Sequence, residues 1–191
     1  MSLLSDWEIK EEVHKNNMID PFIPETISGV DHLSYGLSAA SYEVRILPKY
    51  KLFISDHDLV VDPLDFDERC CLNLEGPEIT IPPNGFILCL TLENFNLPDD
   101  ISILCVGKSS LARCGIVVNP TAIEAGMKGR VVLELSNTSP CPVKIRSGNN
   151  GIAKFLFFRS GKCANPYDGN YQNQADIILP TTRRRGVQSA E

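Results

Sequence analysis

Along the chain, apolar residues fall first at helical and then at strand spacing. Ser5-Asp6-Trp7-Glu8 fits a capping box, with the Ser5 hydroxyl on an early helix amide and Glu8 reaching back, and it predicts a short helix from about Asp6 to Asn16. Beyond Met18-Ile19-Asp20-Pro21 the pattern turns to short apolar runs separated by Pro, Gly, Asn and Asp, as in all-β domains. The runs predict strands at Tyr42 to Leu47, Lys51 to Ile54, Glu78 to Ile81, Gly85 to Glu93, Ile101 to Val106, Gly115 to Val118, Arg130 to Ser136, Val143 to Ile145 and Ile152 to Phe158. Pro82-Pro83-Asn84-Gly85 is a strong turn signal and predicts a hairpin between the strands on either side of it. With many strands and little helix, the apolar faces are buried only if the sheets close into a barrel or stack as a sandwich.

Length and charge narrow this picture. At 191 residues the chain supports one good core, so residues 1–180 are expected to form a single domain and 181–191, rich in Arg and without apolar period, a flexible basic tail. Hydrophobic residues at 43% and charged residues at 22% exclude a disordered or collagen-like chain. A net charge of −6 argues against a broad nucleic-acid-binding face, since that affinity comes largely from Lys and Arg on phosphates. The N-terminus lacks a basic, apolar leader, and no run approaches the roughly 18 apolar residues of a membrane span. A soluble cytoplasmic protein without membrane or nucleic-acid partners is expected. The seven cysteines form no C-x-x-C pair and are expected to be reduced, buried thiols serving as small hydrophobes.

Candidate chemistry concentrates between Val106 and Asn137. Gly107-Lys108-Ser109-Ser110-Leu111-Ala112-Arg113 follows an apolar strand and places two hydroxyls between two cations, which suits either a phosphate cradle or a solvated turn. It is not a P-loop, because no G-x-x-x-x-G-K-[ST] occurs. The H-x-E and P-C-x-x-C ligand set of zinc deaminases is also missing, and His14, His32 and His57 all lie upstream, so neither zinc nor any other protein-bound metal is expected. Glu134 is an acid inside the apolar run Val131-Val132-Leu133-Glu134-Leu135, either an outward-facing strand residue or a buried base.

The stretch CVGKSSLARCGIVVNPTAIEAGMKGRVVLELSN resembles the core signature of the dCTP deaminase family, including the spacing from the serine pair to the glutamate. The resemblance extends upstream to Leu33-Ser34-Tyr35-Gly36-Leu37-Ser38, Tyr42-Glu43-Val44-Arg45 and Ile81 to Phe86. Downstream it reaches Gly151-Ile152-Ala153, Pro166-Tyr167 and Tyr171-Gln172-Asn173-Gln174.

It implies a mainly β fold, a distorted barrel of the dUTPase-like β-clip type, and hydrolysis of dCTP to dUTP and ammonia, supplying dUTP for thymidylate synthesis. Glu134 would be the general base, Ser109 and the Ala122 carbonyl would hold the water, and Arg113 would orient the carboxylate and stabilise developing charge. Lys108, Ser110 and Gln174 would hold the triphosphate or the base, with Thr121, Glu124, Tyr167 and Tyr171 completing the substrate site. Mg²⁺ would ride on the nucleotide. A homotrimer is implied, with sites between subunits and with the Glu134 strand and the Gln174 segment coming from different chains.

Four positions depart from the family pattern. Met127 stands for an aromatic near the nucleotide pocket, and Ser41-Tyr42-Glu43 keeps an acid but lengthens it, a segment expected to be structural. Asn170 stands for a phosphate-contacting lysine, and Asp176 for a closing glycine. A combined deaminase and dUTPase, a deaminase of a modified cytosine nucleotide, and a non-catalytic protein on the same barrel remain open. The Arg183-Arg184-Arg185 cluster either replaces the lost cation or is a solvated tail.

Overall fold

The computed structural model describes residues 1–54 and 59–181. The N-terminal helix spans Asp6–Asn16 as expected, with both halves of the Ser5/Glu8 capping box formed and Asn17 in the left-handed region closing its C-terminus. It buries Ile9 and Glu12, and Glu12 Oε1 meets Arg159 Nη2 at 2.6 Å.

Among the described residues everything else that is regular is β, apart from two short helical turns. One antiparallel sheet runs in the order Thr121–Ile123, Ile101–Gly107, Ala153–Arg159, Ser41–Val44, Tyr35–Ser38, Thr26–Ile27, with Ser2–Leu3 added beside Ala153–Arg159. A second runs Ile116–Val118, Val132–Asn137, Phe86–Thr91, Ile46–Phe53, Cys71–Glu75. Two smaller sheets join Lys128–Gly129, Asn94–Asn96 and Ile19–Asp20, and Val143–Arg146 with Glu78–Ile81. The sheets stay separate and do not close into one barrel, a distorted β-clip arrangement around a main core to which Tyr42, Tyr50, Phe95, Phe155 and Phe157 contribute the largest buried side chains. Such rings bury about 150–250 Å² each and weigh heavily in core energetics.

Two expectations are corrected. Pro82 to Gly85 does turn, with the Gly85 amide on the Pro82 carbonyl at 2.9 Å and Asn84 at φ 58°. It is a corner between sheets and not a hairpin: Glu78–Ile81 pairs with Val143–Arg146, and Phe86–Thr91 pairs with Val132–Asn137 and Ile46–Phe53. Two consecutive prolines offer no amide to continue a ladder. The buried Asn137 amide fixes the corner by donating to the carbonyls of Ile81, Pro82 and Cys141. The segments read as Tyr42 to Leu47 and Lys51 to Ile54 are instead Ser41–Val44 and one long strand Ile46–Phe53, whose register shifts between Ile46 and Tyr50, across Pro48.

The cysteines are all free, but only Cys70, Cys71, Cys89 and Cys105 are buried. Cys114, Cys141 and Cys163 are exposed, because they lie in connections outside the strands.

Candidate active site

The chain passes from the second sheet to the first at Asn119-Pro120, between Ile116–Val118 and Thr121–Ile123. Pro120 cannot donate to a ladder, so pairing ends there. The crossing brings Thr121 beside the Val132–Asn137 strand, where the Asn119 amide donates to the Glu134 carbonyl at 2.9 Å and the Thr121 hydroxyl donates to Glu134 Oε2 at 3.1 Å.

Period-two alternation sends Leu133 and Leu135 into the core and Glu134 to the other face, opposite Leu88. Glu134 is half-buried rather than solvated. Burial pushes its proton affinity above the ordinary carboxylate range, and the Thr121 hydrogen bond only partly offsets this. Beneath it, the buried thiol of Cys105 is pushed up to about 12, mainly by burial and secondarily by the Glu134 charge. That thiol therefore stays neutral.

Glu134 opens onto a cavity of about 560 Å³. Thr121, Ala122, Glu124, Tyr167, Tyr171 and Gln174 line it, so seven of the expected site residues converge there. Phe53, Phe86, Leu88 and Val132 make an apolar wall, and Met127, only 6% exposed, packs against the core and also lines the cavity. Gln174 is 3% exposed. Its backbone carbonyl accepts from the Arg130 amide at 2.8 Å and its Nε2 donates to the Arg130 carbonyl at 3.2 Å, while Oε1 has no partner among the described residues. Gly129, at φ 114°, permits this approach, since a Cβ there would lie 2.5 Å from the Gln174 amide nitrogen.

Glu134 and Gln174 of the same chain thus line one cavity, whereas the family resemblance implied that they come from different subunits. The short connection Asp168-Gly169-Asn170 returns the C-terminal segment to its own chain. Gln172 locks it there, accepting from the Lys128 amide at 2.6 Å and donating to the carbonyls of Gly126 and Tyr167.

Ser109, Ser110 and Arg113 are placed elsewhere. They lie exposed on and just after the helix Ser109–Ala112, outside the residues lining this cavity. Lys108 was expected to face phosphate, but its ammonium is buried against Glu43 at 2.6 Å. One residue not anticipated from sequence shapes the cavity. Arg130 lines it, but its Nη1 is turned onto the carbonyls of Thr91 and Leu92. Asn170 donates from Nδ2 to the Thr181 carbonyl at 2.8 Å and so holds the chain just after Pro180, which also lines the cavity. Arg183-Arg184-Arg185 lies outside the described residues. No group of three His, Cys, Asp or Glu side chains is placed to hold a metal among the described residues, and no helix among them is long and apolar enough to cross a membrane.

The model of the dCTP deaminase-like family matches residues 3–160, a span that includes Ser109, Arg113, Thr121, Ala122 and Glu134. The chain belongs to that family. A dCTP deaminase of Anaplasma phagocytophilum is 48% identical over 185 residues, covering 94% of this chain and 98% of the relative. A dCTP deaminase of Campylobacter hominis is 44% identical over 184 residues, covering 94% and 96%. Among solved structures, a 2′-deoxycytidine 5′-triphosphate deaminase from Agrobacterium tumefaciens has the same fold, with a TM-score of 0.61 at 18% identity. It covers 83% of this chain and 48% of that one, so this chain spans about half the length of that protein. Around one cavity the chain places the Glu134 carboxylate, the Thr121 hydroxyl and the Gln174 amide.

Proposed function

We propose that this chain hydrolyses dCTP to dUTP and ammonia, with Glu134 as general base. The observation that carries this reading is a half-buried carboxylate with raised proton affinity, facing a cavity in a family member whose relatives are dCTP deaminases. A base is most effective when its proton affinity approaches the working pH, and burial moves Glu134 in that direction.

Glu134 takes a proton from water as the oxygen bonds to C4 of cytosine and passes it to ring N3 as the C4–N3 double bond opens, giving a tetrahedral centre that carries a hydroxyl and an amino group. The carboxylate then takes the hydroxyl proton and gives it to the amino group, the bond from C4 to the amino nitrogen breaks as the C4 carbonyl forms, and ammonia leaves uracil behind. The Ala122 carbonyl, beside Thr121 in the cavity wall, suits holding the water. The unpartnered Oε1 of Gln174 is an acceptor suited to a base amino group. The apolar wall suits the face of a pyrimidine.

Phosphates need cations, and the cavity of one chain supplies few: Arg130 is committed to carbonyls, and Glu124 and Glu134 are acidic. The exposed Ser109, Ser110 and Arg113 are the complementary half. A homotrimer in which this turn enters the neighbouring chain's cavity supplies hydroxyls and a guanidinium to the water and the triphosphate. Mg²⁺ then arrives as part of the nucleotide substrate, and the enzyme works in the cytoplasm.

The test is incubation with Mg²⁺-dCTP, dCMP, dUTP and 5-substituted dCTPs while ammonia and pyrophosphate are followed separately. Ammonia from dCTP is expected. Pyrophosphate from dUTP would add a second activity, and absence of ammonia from every cytosine nucleotide would overturn the reading.

A further inference from the structure

The turn that carries Ser109 and Arg113 is anchored from beneath by buried charge. Its helix, Ser109–Ala112, is four residues long, and Lys108 at its N-terminal cap makes no side-chain capping hydrogen bond. Such a helix has too few internal bonds to hold itself. Its inward attachments are Leu111, which is buried, and Lys108, which is 3% exposed. Lys108 Nζ donates to Glu43 Oε2 at 2.6 Å and to Ser34 Oγ at 2.8 Å. Ser34 Oγ in turn donates to the same Glu43 oxygen at 2.7 Å, and Lys154 Nζ reaches Glu43 Oε1 at 3.0 Å.

Glu43 itself, 4% exposed, is fixed in the Ser41–Val44 strand, paired with Lys154 on one side and Gly36 on the other. Burial raises its proton affinity, but the hydrogen bonds from Lys108, Ser34 and Lys154 together outweigh burial and hold it below the ordinary value. It is a carboxylate with two donors on Oε2 and one on Oε1, and it lies outside the residues lining the cavity.

We propose that Glu43 is a positioning residue: through Lys108 it sets the orientation in which the Ser109–Arg113 turn is presented to the neighbouring site, and it touches no substrate. The proposal rests on reading Ser109 and Arg113 as parts of that site. A misplacement of about 1 Å in a catalytic group costs up to about a hundredfold in rate, so an anchor directly adjoining Ser109 has leverage on turnover. It also reassigns Lys108, whose charge is occupied by Glu43 rather than by phosphate.

The test exploits length at constant charge. Glu43→Asp retracts the carboxylate by about one carbon–carbon bond, roughly 1.5 Å, and opens a contact that is 2.6 Å in the parent. Lys108→Arg extends the cation, so Glu43→Asp combined with Lys108→Arg restores the reach. Both variants keep both charges and avoid leaving a buried charge alone, the change that most endangers folding. For Glu43→Asp, kcat for dCTP is expected to fall about tenfold with KM within about twofold, and the double variant is expected to recover most of that loss.

Thermal unfolding and sedimentation run in parallel establish that each variant is folded and assembled as the parent is. A folded Glu43→Asp with unchanged kcat, or a folded double variant no better than the single, overturns the proposal. A selective rise in KM for the triphosphate also overturns it, because Lys108 then acts on phosphate. Glu134→Gln is assayed beside them: if that variant deaminates normally, the general-base reading fails, a result read independently of the Glu43 series.

Discussion

Thr121 and Glu134 stand in different sheets, and the Thr121 hydroxyl donates across the seam to Glu134 Oε2 at 3.1 Å. This bond sets the carboxylate's direction and tempers its proton affinity against burial. It also ties the chemistry to the path of the chain through Asn119-Pro120, where the Asn119 amide donates to the Glu134 carbonyl.

Glu134→Gln removes the base while keeping size and a hydrogen-bond acceptor for Thr121. Turnover is expected to fall at least about a hundredfold, the lower end for loss of a general base. Stability should move the other way. An acid whose folded proton affinity is raised binds its proton more tightly when folded, so stability falls as pH rises from the ordinary carboxylate value through the folded one. At neutral pH the parent carries that buried charge and the variant does not. Thermal unfolding should therefore show the variant more stable at pH 7, with the advantage gone below about pH 4, where both side chains are neutral. Near-parental ammonia release would remove Glu134 from the mechanism.

Thr121→Val deletes the one side-chain hydrogen bond that favours ionised Glu134. Its proton affinity should rise further, so the acid limb of the kcat/KM profile should move to higher pH while the plateau at alkaline pH is largely kept. Thr121→Ser keeps the hydroxyl and should leave the limb in place. Coincident profiles for all three proteins would show that the hydroxyl does not act on the reacting carboxylate.

The strand pattern was legible because period two is a local property: Leu133 in, Glu134 out, Leu135 in follows from the order of residues alone. The capping box of the first helix was legible for the same reason. Partnership between strands is not local. Pro82-Pro83-Asn84-Gly85 reads as a hairpin by composition, yet its flanking strands go to different sheets because Asn137, more than fifty residues away, takes the corner carbonyls. The same limit applies at the site. Ser109, Arg113 and Glu134 stood out through the resemblance to the family's signature, whereas the burial of Lys108 on Glu43 and the return of Gln174 to its own chain depend on contacts that no local motif encodes.

If Ser109 completes a neighbour's cavity and Glu134 serves its own, two dead proteins should repair each other. Ser109→Ala and Glu134→Gln, each nearly inactive alone, are mixed one to one, dissociated and reassembled. In a cyclic trimer every site joins one chain's Glu134 to the next chain's Ser109. Random assembly then leaves about a quarter of sites intact. Recovery near that level supports interfacial sites. Mixed trimers without recovery would place both residues in the same chain's site.

The path of the C-terminus sets the last expectation. Pro180 lines the cavity, and Asn170 holds Thr181 through its carbonyl, so the described chain ends beside the site. Arg183, Arg184 and Arg185 follow immediately in the sequence. A triphosphate carries about four negative charges, and Asn170 contributes none of the positive charge a lysine there would. Truncation after Thr181 is therefore expected to raise KM for dCTP several-fold with kcat little changed, and to flatten the rise of KM with salt, because screening acts on the cations removed. Arg183→Ala, Arg184→Ala and Arg185→Ala combined should reproduce the effect with the tail length kept. A KM that is the same for parent and truncated protein from low to high salt would make the arginines bystanders and leave the phosphates to Ser109, Ser110 and Arg113.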